Sequence, residues 1–406
     1  MNRRFLLAGG AASLAAACAT PRAIPAVTLG VDALAADSFA ALRGKRVGLI
    51  TNQTGVNGAG QISRVVLKEA LGEGLVSLFG PEHGLDTRAK AGDHVDDGRD
   101  PVTGLKTWSL YGARRKPTAA MLADLDVLAF DIQDIGVRSY TYISTMALAM
   151  EAAAEAGKDF VVLDRPNPLN GARIEGPGLE PAFTSFVSQV PVPYVHGLTV
   201  GELARMIVGE RWIAAVPRLS VVRMQGWRRT MHWGQTGLSW VATSPNIPFW
   251  TSPAYCAATG ILGELRAVDI GIGGQKPFQV AAARGIDPAA LTRALTAEGF
   301  PGVRFAPYVS ATHPGFAGVE LTLDPDADTD LMALGMALLH AVVGGAGGEP
   351  LRATPPASRD LFNKVYGSEA LWRALEAGAP WRPLTARWPE EHAAFAARRA
   401  PYLLYA

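Results

Sequence analysis

Residues Phe79 to Asp97, FGPEHGLDTRAKAGDHVDD, gather the carboxylates of Glu82, Asp86, Asp93, Asp96 and Asp97 around the imidazoles of His83 and His94. The chain is otherwise sparing with such groups: 18% of its 406 residues are charged and it has 7 histidines in all. Side chains at this density can bind a metal, move protons, or simply face water. A metal would draw N and O donors from His83, Asp86, Asp93 and His94. Those positions lack the helical i, i+4 spacing that aligns paired ligands in zinc motifs, so no resident metal is expected. A solvated loop accounts for Asp96 and Asp97. It does not account for Glu82, wedged between Pro81 and His83 directly after an apolar run. A carboxyl partly withdrawn from water there holds its proton and can pass it to a leaving group. Glu82 is the expected acid.

Other polar segments follow apolar runs in the same way. TNQTG (51–55) presents Asn52 and Gln53. DIQDIGVRSYTYIS (131–144) carries two further candidate catalytic carboxylates, Asp131 and Asp134. In the same segment the planar fork of Arg138 suits an anion, and the faces of Tyr140 and Tyr142 suit a ring. The competing reading of Arg138 is an Arg–Asp ion pair at the helix N-terminus. DRPNPLNG (164–171) is a turn by composition, and its Asp164, Arg165 and Asn167 can bond sugar hydroxyls or brace the loop. His196 precedes a helix start, where Thr199 and Glu202 have capping-box spacing, so Glu202 reads as a cap. Asn246 lies in the Pro-rich stretch SPNIP (244–248).

The elements that must position these residues are legible as a pattern. KRVGLI (45–50), GLVSLF (74–79), LDVLAFD (125–131) and DFVVLD (159–164) are short apolar runs separated by helix-like stretches at 61–72, 117–124 and 141–158. Such alternation predicts a Rossmann-like, doubly wound parallel α/β sheet covered on both faces. Ligands then bind at the carboxyl ends of the strands, where the polar segments collect. Beyond about residue 250 the pattern becomes α+β, with strands near 278–283 and 318–323 and helices near 288–298, 330–343 and 368–377. The expected division is a signal segment (1–18), a leader (19–37), a catalytic domain (38–250) and a smaller C-terminal domain (251–406).

Composition is globular, with 49% hydrophobic residues and a net charge of +1, and no basic run interleaved with aromatics marks a nucleic-acid site. There is no Walker A loop, nucleophile elbow or zinc-protease helix, and GIGG (271–274) lacks the dinucleotide-binding spacing, so no cofactor is expected. The start, MNRRFLLAGGAASLAAACAT, has basic residues, an apolar stretch too short to span a bilayer, and small residues before Cys18. Arg3-Arg4-Phe5-Leu6 is also a shortened echo of a twin-arginine signal. Export to the periplasm with lipidation at Cys18 is the expectation, the membrane being touched only through that anchor. Cys256 is then the one remaining cysteine, a buried apolar residue with no disulfide partner.

The ordered set GLITNQTGVN, LFGPEHGL, AGDHVDD, SLYG, DIQDIGVRSYTYISTM, DRPNPLNG, PVPYVHGLTVGELA and SPNIP closely resembles the NamZ-type exo-β-N-acetylmuramidases, a former domain of unknown function. The resemblance runs from about residue 40 to YLLY (402–405). It implies release of N-acetylmuramic acid from the non-reducing end of peptidoglycan-derived disaccharides or glycan fragments, in a cleft between two domains. The family's proposed catalytic glutamate falls on Glu82. The sugar's lactyl carboxylate gives Arg138 an anion to read. Where the family tends to E-G-T-N-x-S-x-G-R-G-T and then R-P-F, this chain has ELRAVDIGIGGQKPF (264–278); Glu264, Gly271, Gly273, Pro277 and Phe278 match and the polar residues between do not. A glycosidase needs a second group at the oxocarbenium-like centre. Asp131, Asp134, Glu264 and the sugar's own acetamido oxygen all remain open for that role. The alternative functions are a catalytically silent muropeptide-binding lipoprotein and a metal-dependent hydrolase built on His83 and His94.

Overall fold

The computed structural model describes residues 27–86 and 96–406. Cys18 and the signal segment, and the candidates Asp93 and His94, lie outside the described residues.

The first domain is built on a seven-stranded sheet: β1 (Val47–Thr51), β2 (Leu75–Gly80), β3 (Gly98–Arg99), β4 (Lys106–Ser109), β5 (Val127–Asp131), β6 (Asp159–Leu163) and β7 (Leu219–Val222). Its order is β3-β4-β2-β1-β5-β6-β7, parallel except for the short edge strand β3. Counting only the parallel strands, this is the doubly wound order, with the direction of winding reversing between β1 and β5. Those two strands pair in register from Val47–Val127 to Thr51–Asp131. The apolar runs are continuous because both faces are covered. Leu49 packs with Leu34 and Leu67 from helices Gly30–Ala36 and Ser63–Leu71, whereas its neighbour Ile50 joins Met146 and Leu203 from helices Tyr142–Glu155 and Val200–Gly209. The α/β reading holds.

The second domain has an antiparallel sheet of β8 (Val268–Asp269), β9 (Val280–Arg284), β10 (Val303–Val309) and β11 (Phe316–Leu323), in the order β10-β11-β9-β8. Helix Leu331–Gly345 packs its Leu334, Leu338 and Val342 into the core of this domain. That core continues into Ile135, Val137 and Tyr194 of the first domain without a break. The chain end returns to the first domain. Phe395, in helix Trp388–Arg399, belongs to the first domain's core, and Tyr405 donates to Asp164 Oδ2 at 2.6 Å. The last residues therefore strap the second domain back onto the first.

Candidate active site

After β2 the chain turns through Pro81, Glu82, His83 and Gly84. His83 and Gly84 take φ values of 69° and 77°, a left-handed pair that glycine adopts freely and histidine does not. This tight turn leaves Glu82 half-buried at a strand's carboxyl end, on the wall of a cleft of ≈ 440 Å³ between the domains. A volume of this size is in the range of small-molecule sites. Thr141, which precedes helix Tyr142–Glu155, donates its hydroxyl to Glu82 Oε2 at 2.5 Å.

Two aromatic side chains flank that carboxyl. The rings of Tyr140 and Tyr142 meet edge to face at 4.8 Å, and their hydroxyls donate to Thr243, to Oγ1 at 2.8 Å and to the backbone oxygen at 2.5 Å. Burial first, then Tyr140 and the Glu82 charge, raise the Tyr142 phenol well above its ordinary pKa. Asn52 is buried beside Tyr142, and its Oδ1 accepts from the backbone and hydroxyl of Thr54.

The second domain also lines the cleft. Glu264 ends the 3-10 turn Gly260–Glu264 that follows helix Ser252–Thr259, and its burial raises its pKa. Cys256 lies in the same wall, its thiol pushed up to about 12 by burial and then by Glu264, which makes it a poor nucleophile. Of the sequence candidates, Glu82, His83, Tyr140, Tyr142, Asn246 and Glu264 line the cleft.

The other candidates among the described residues do not, and each has partners within the protein. Asp131 is fully buried and pairs with Arg165 Nε at 2.7 Å, while Arg165 Nη2 bonds the Val56 carbonyl. Asp134 accepts from Gly136 N, and burial raises its pKa to about 7. Asp164 accepts from Thr199, Gly201 and Tyr405, tying strand end, helix start and chain end together. Asn167 accepts from Leu169 N and donates to Leu198 O, and His196 Nδ1 accepts from Leu198 N. Gln53 donates to Ala242 O. The structure thus places Asp131, Asp134, Asn52, Gln53, Asp164, Arg165, Asn167 and His196 outside the cleft lining, each bonded to protein groups.

Arg138 is the sharpest correction. It is 0% exposed, and its guanidinium donates to the carbonyls of Pro177, Val192, Val365 and Tyr366 and to Ser188 Oγ. Its donors go to protein acceptors, and no aspartate of the described residues meets it; it staples the two domains. Glu202 is a cap, as expected, exchanging bonds of 3.1 Å with Thr199. Among the described residues no group of three His, Cys, Asp or Glu is placed to hold a metal, and Asp86 pairs with Arg64 at 3.2 Å.

Cleft residues that the sequence reading passed over include Tyr194, Arg115 and Phe186. Arg115 follows SLYG (109–112) within a basic run, ARRKP, just beyond β4. That position at a strand's carboxyl end was the available signal.

Sequence models of the exo-β-N-acetylmuramidase NamZ N-terminal and C-terminal domains match residues 47–251 and 255–405. The peptidoglycan β-N-acetylmuramidase NamZ of Bacillus subtilis (strain 168) is 47% identical over 281 residues, 69% of this chain and 67% of the relative. The crystal structure of a DUF1343 family protein from Bacteroides fragilis matches with a TM-score of 0.88 at 39% identity, over 95% of this chain and 100% of that one. A second DUF1343 family protein from the same organism matches with a TM-score of 0.73 at 26% identity, over 93% and 99% of the two chains.

Proposed function

Because the chain belongs to the NamZ exo-β-N-acetylmuramidase family, we propose that it is a glycoside hydrolase that releases N-acetylmuramic acid from the non-reducing end of peptidoglycan fragments. The observation that carries the reading is the pair of carboxyl side chains, Glu82 from the first domain and Glu264 from the second, lining one cleft. Glu82 protonates the glycosidic oxygen as its bond to the anomeric carbon breaks. Thr141 holds the Glu82 carboxyl in place, and the buried Tyr142 and partly buried Tyr140 shield that wall from water. Glu264 faces the developing oxocarbenium-like charge. Water then adds to the anomeric carbon, yields the free sugar and returns a proton to the carboxylate pair.

Incubating the purified protein with N-acetylmuramyl-N-acetylglucosamine tests this. Release of both monosaccharides is expected, and binding without release would mean a silent muropeptide receptor. The signal sequence extends the reading to location: the mature chain starts at a lipidated Cys18 and is held at the periplasmic face of a membrane. Mass spectrometry of the mature N-terminus is the check, and an unmodified start downstream of Cys18 would mean simple secretion.

A further inference from the structure

The cleft contains a cation whose purpose the hydrolytic step does not explain. Its wall carries the acidic Glu82 and Glu264 and the basic Arg115 and Lys364. Lys364 is committed to Asp360 at 2.5 Å, one helical turn away. Arg115 has no carboxylate partner among the described residues. Its guanidinium carbon lies 4.3 Å from the ring centroid of Phe186 and 5.7 Å from that of Tyr111. The two rings are 6.0 Å apart and tilted by 44°. A guanidinium held by its faces on aromatic rings keeps its N–H groups, which lie in its plane, available for a carboxylate.

The platform under it is anchored. Phe186 is buried and sits in the tight turn Ser185–Ser188, whose ends bond each other through the backbone. Ser188 is fixed from below, accepting from Arg138 Nε at 3.2 Å and donating to Lys364 O at 2.8 Å. The buried arginine thus fixes the loop that presents Phe186, and Phe186 orients the exposed arginine. The arrangement is preorganised for an anion next to the carboxyl pair.

We infer that Arg115, stacked on Phe186, binds the lactyl carboxylate of N-acetylmuramic acid and is the residue by which the enzyme distinguishes that sugar from N-acetylglucosamine. The inference rests on the hydrolase reading above. The two sugars differ only in the ether-linked acid, so a selective site must meet one negative charge with one committed cation. Arg115 is the guanidinium in the cleft that no carboxylate of the described residues neutralises.

The test compares wild type with Arg115→Gln and Arg115→Lys on three chromogenic glycosides: N-acetylmuramic acid, its lactyl methyl ester, and N-acetylglucosamine. Wild type is expected to favour the free acid over the ester by about 10- to 100-fold in kcat/KM, the worth of a charge-assisted bond. In Arg115→Gln that preference collapses to within about twofold, and Arg115→Lys keeps part of it. A preference that survives in Arg115→Gln, or equal losses on acid and ester, overturns the assignment. A wild type that cleaves no muramic substrate at all instead defeats the hydrolase reading itself, so the two failures are separable.

Discussion

Arg138 and Asp134 illustrate how burial decides what an ionisable residue does. Arg138 spends its donors on backbone carbonyls from both domains, and burial lowers its pKa to about 10. Arg138→Met strands those carbonyls, at a cost of about 3 kcal/mol or more in unfolding free energy. Urea titration measures that loss, and any remaining turnover falls equally on muramic and glucosaminic glycosides. Asp134 is protonated more readily in the folded than in the unfolded chain, since burial raises it to about 7. Its contribution to stability is present below the ordinary aspartate pKa and disappears as pH rises through about 7. His196 Nε2, 4.0 Å from Asp134 Oδ2, is shifted the other way, to about 3, first by burial and then by Arg399 and Arg138. Its contribution is present above the ordinary histidine pKa and is lost as pH falls toward 3. With His196 neutral the contact is not an ion pair. Asp134→Asn can still accept from Gly136 N and carries no charge. Relative to wild type it gains on the order of 2–4 kcal/mol between pH 4 and pH 8, read from denaturation curves at each pH. A variant that tracks wild type at both pH values would remove Asp134 from the account.

At the level of elements, legibility followed burial. KRVGLI, GLVSLF, LDVLAFD and DFVVLD could be read as strands because β1, β2, β5 and β6 are covered on both faces, which demands continuous apolar residues. β10 was not legible: VRFAPYV is an edge strand with Arg304 and Pro307 and alternating partial exposure, so it has no apolar signature. The helix Val200–Gly209 was marked by its cap, since Thr199 and Glu202 are the right types at the right spacing. Thr199→Ala removes both the cap and the bond to Asp164, and should cost about 1 kcal/mol or more. A midpoint shift in urea with an unchanged slope is the expected reading. The Glu82 turn was legible for a similar local reason, a Pro-Glu-His-Gly sequence at a strand end. The Asp131–Arg165 pair was not legible because Arg165 arrives from the next strand's loop. Arg115 was missed because the ring that orients it, Phe186, is remote in sequence.

Across the whole molecule, the site exists only because two domains share one core and one seam. Glu82 comes from the parallel sheet's edge loops and Glu264 from the turn that leads into the second sheet. Tyr140 and Tyr142 hold Thr243 on the segment leading to the second domain, Arg138 staples the far side, and the C-terminal residues strap back through Tyr405. A seam tied at several points suits a cleft lined by groups from both domains. Among the described residues no helix is long and apolar enough to cross a membrane. The central claim is that Glu82 delivers the proton in this cleft. Glu82→Gln keeps the side chain's size and an acceptor for Thr141 but cannot give up a proton as a carboxyl does. The decisive measurement is kcat for release of N-acetylmuramic acid by that variant, taken beside its thermal unfolding. At least about a hundredfold fall in kcat with unfolding unchanged is expected; turnover within a few-fold of wild type would contradict Glu82 as the proton donor.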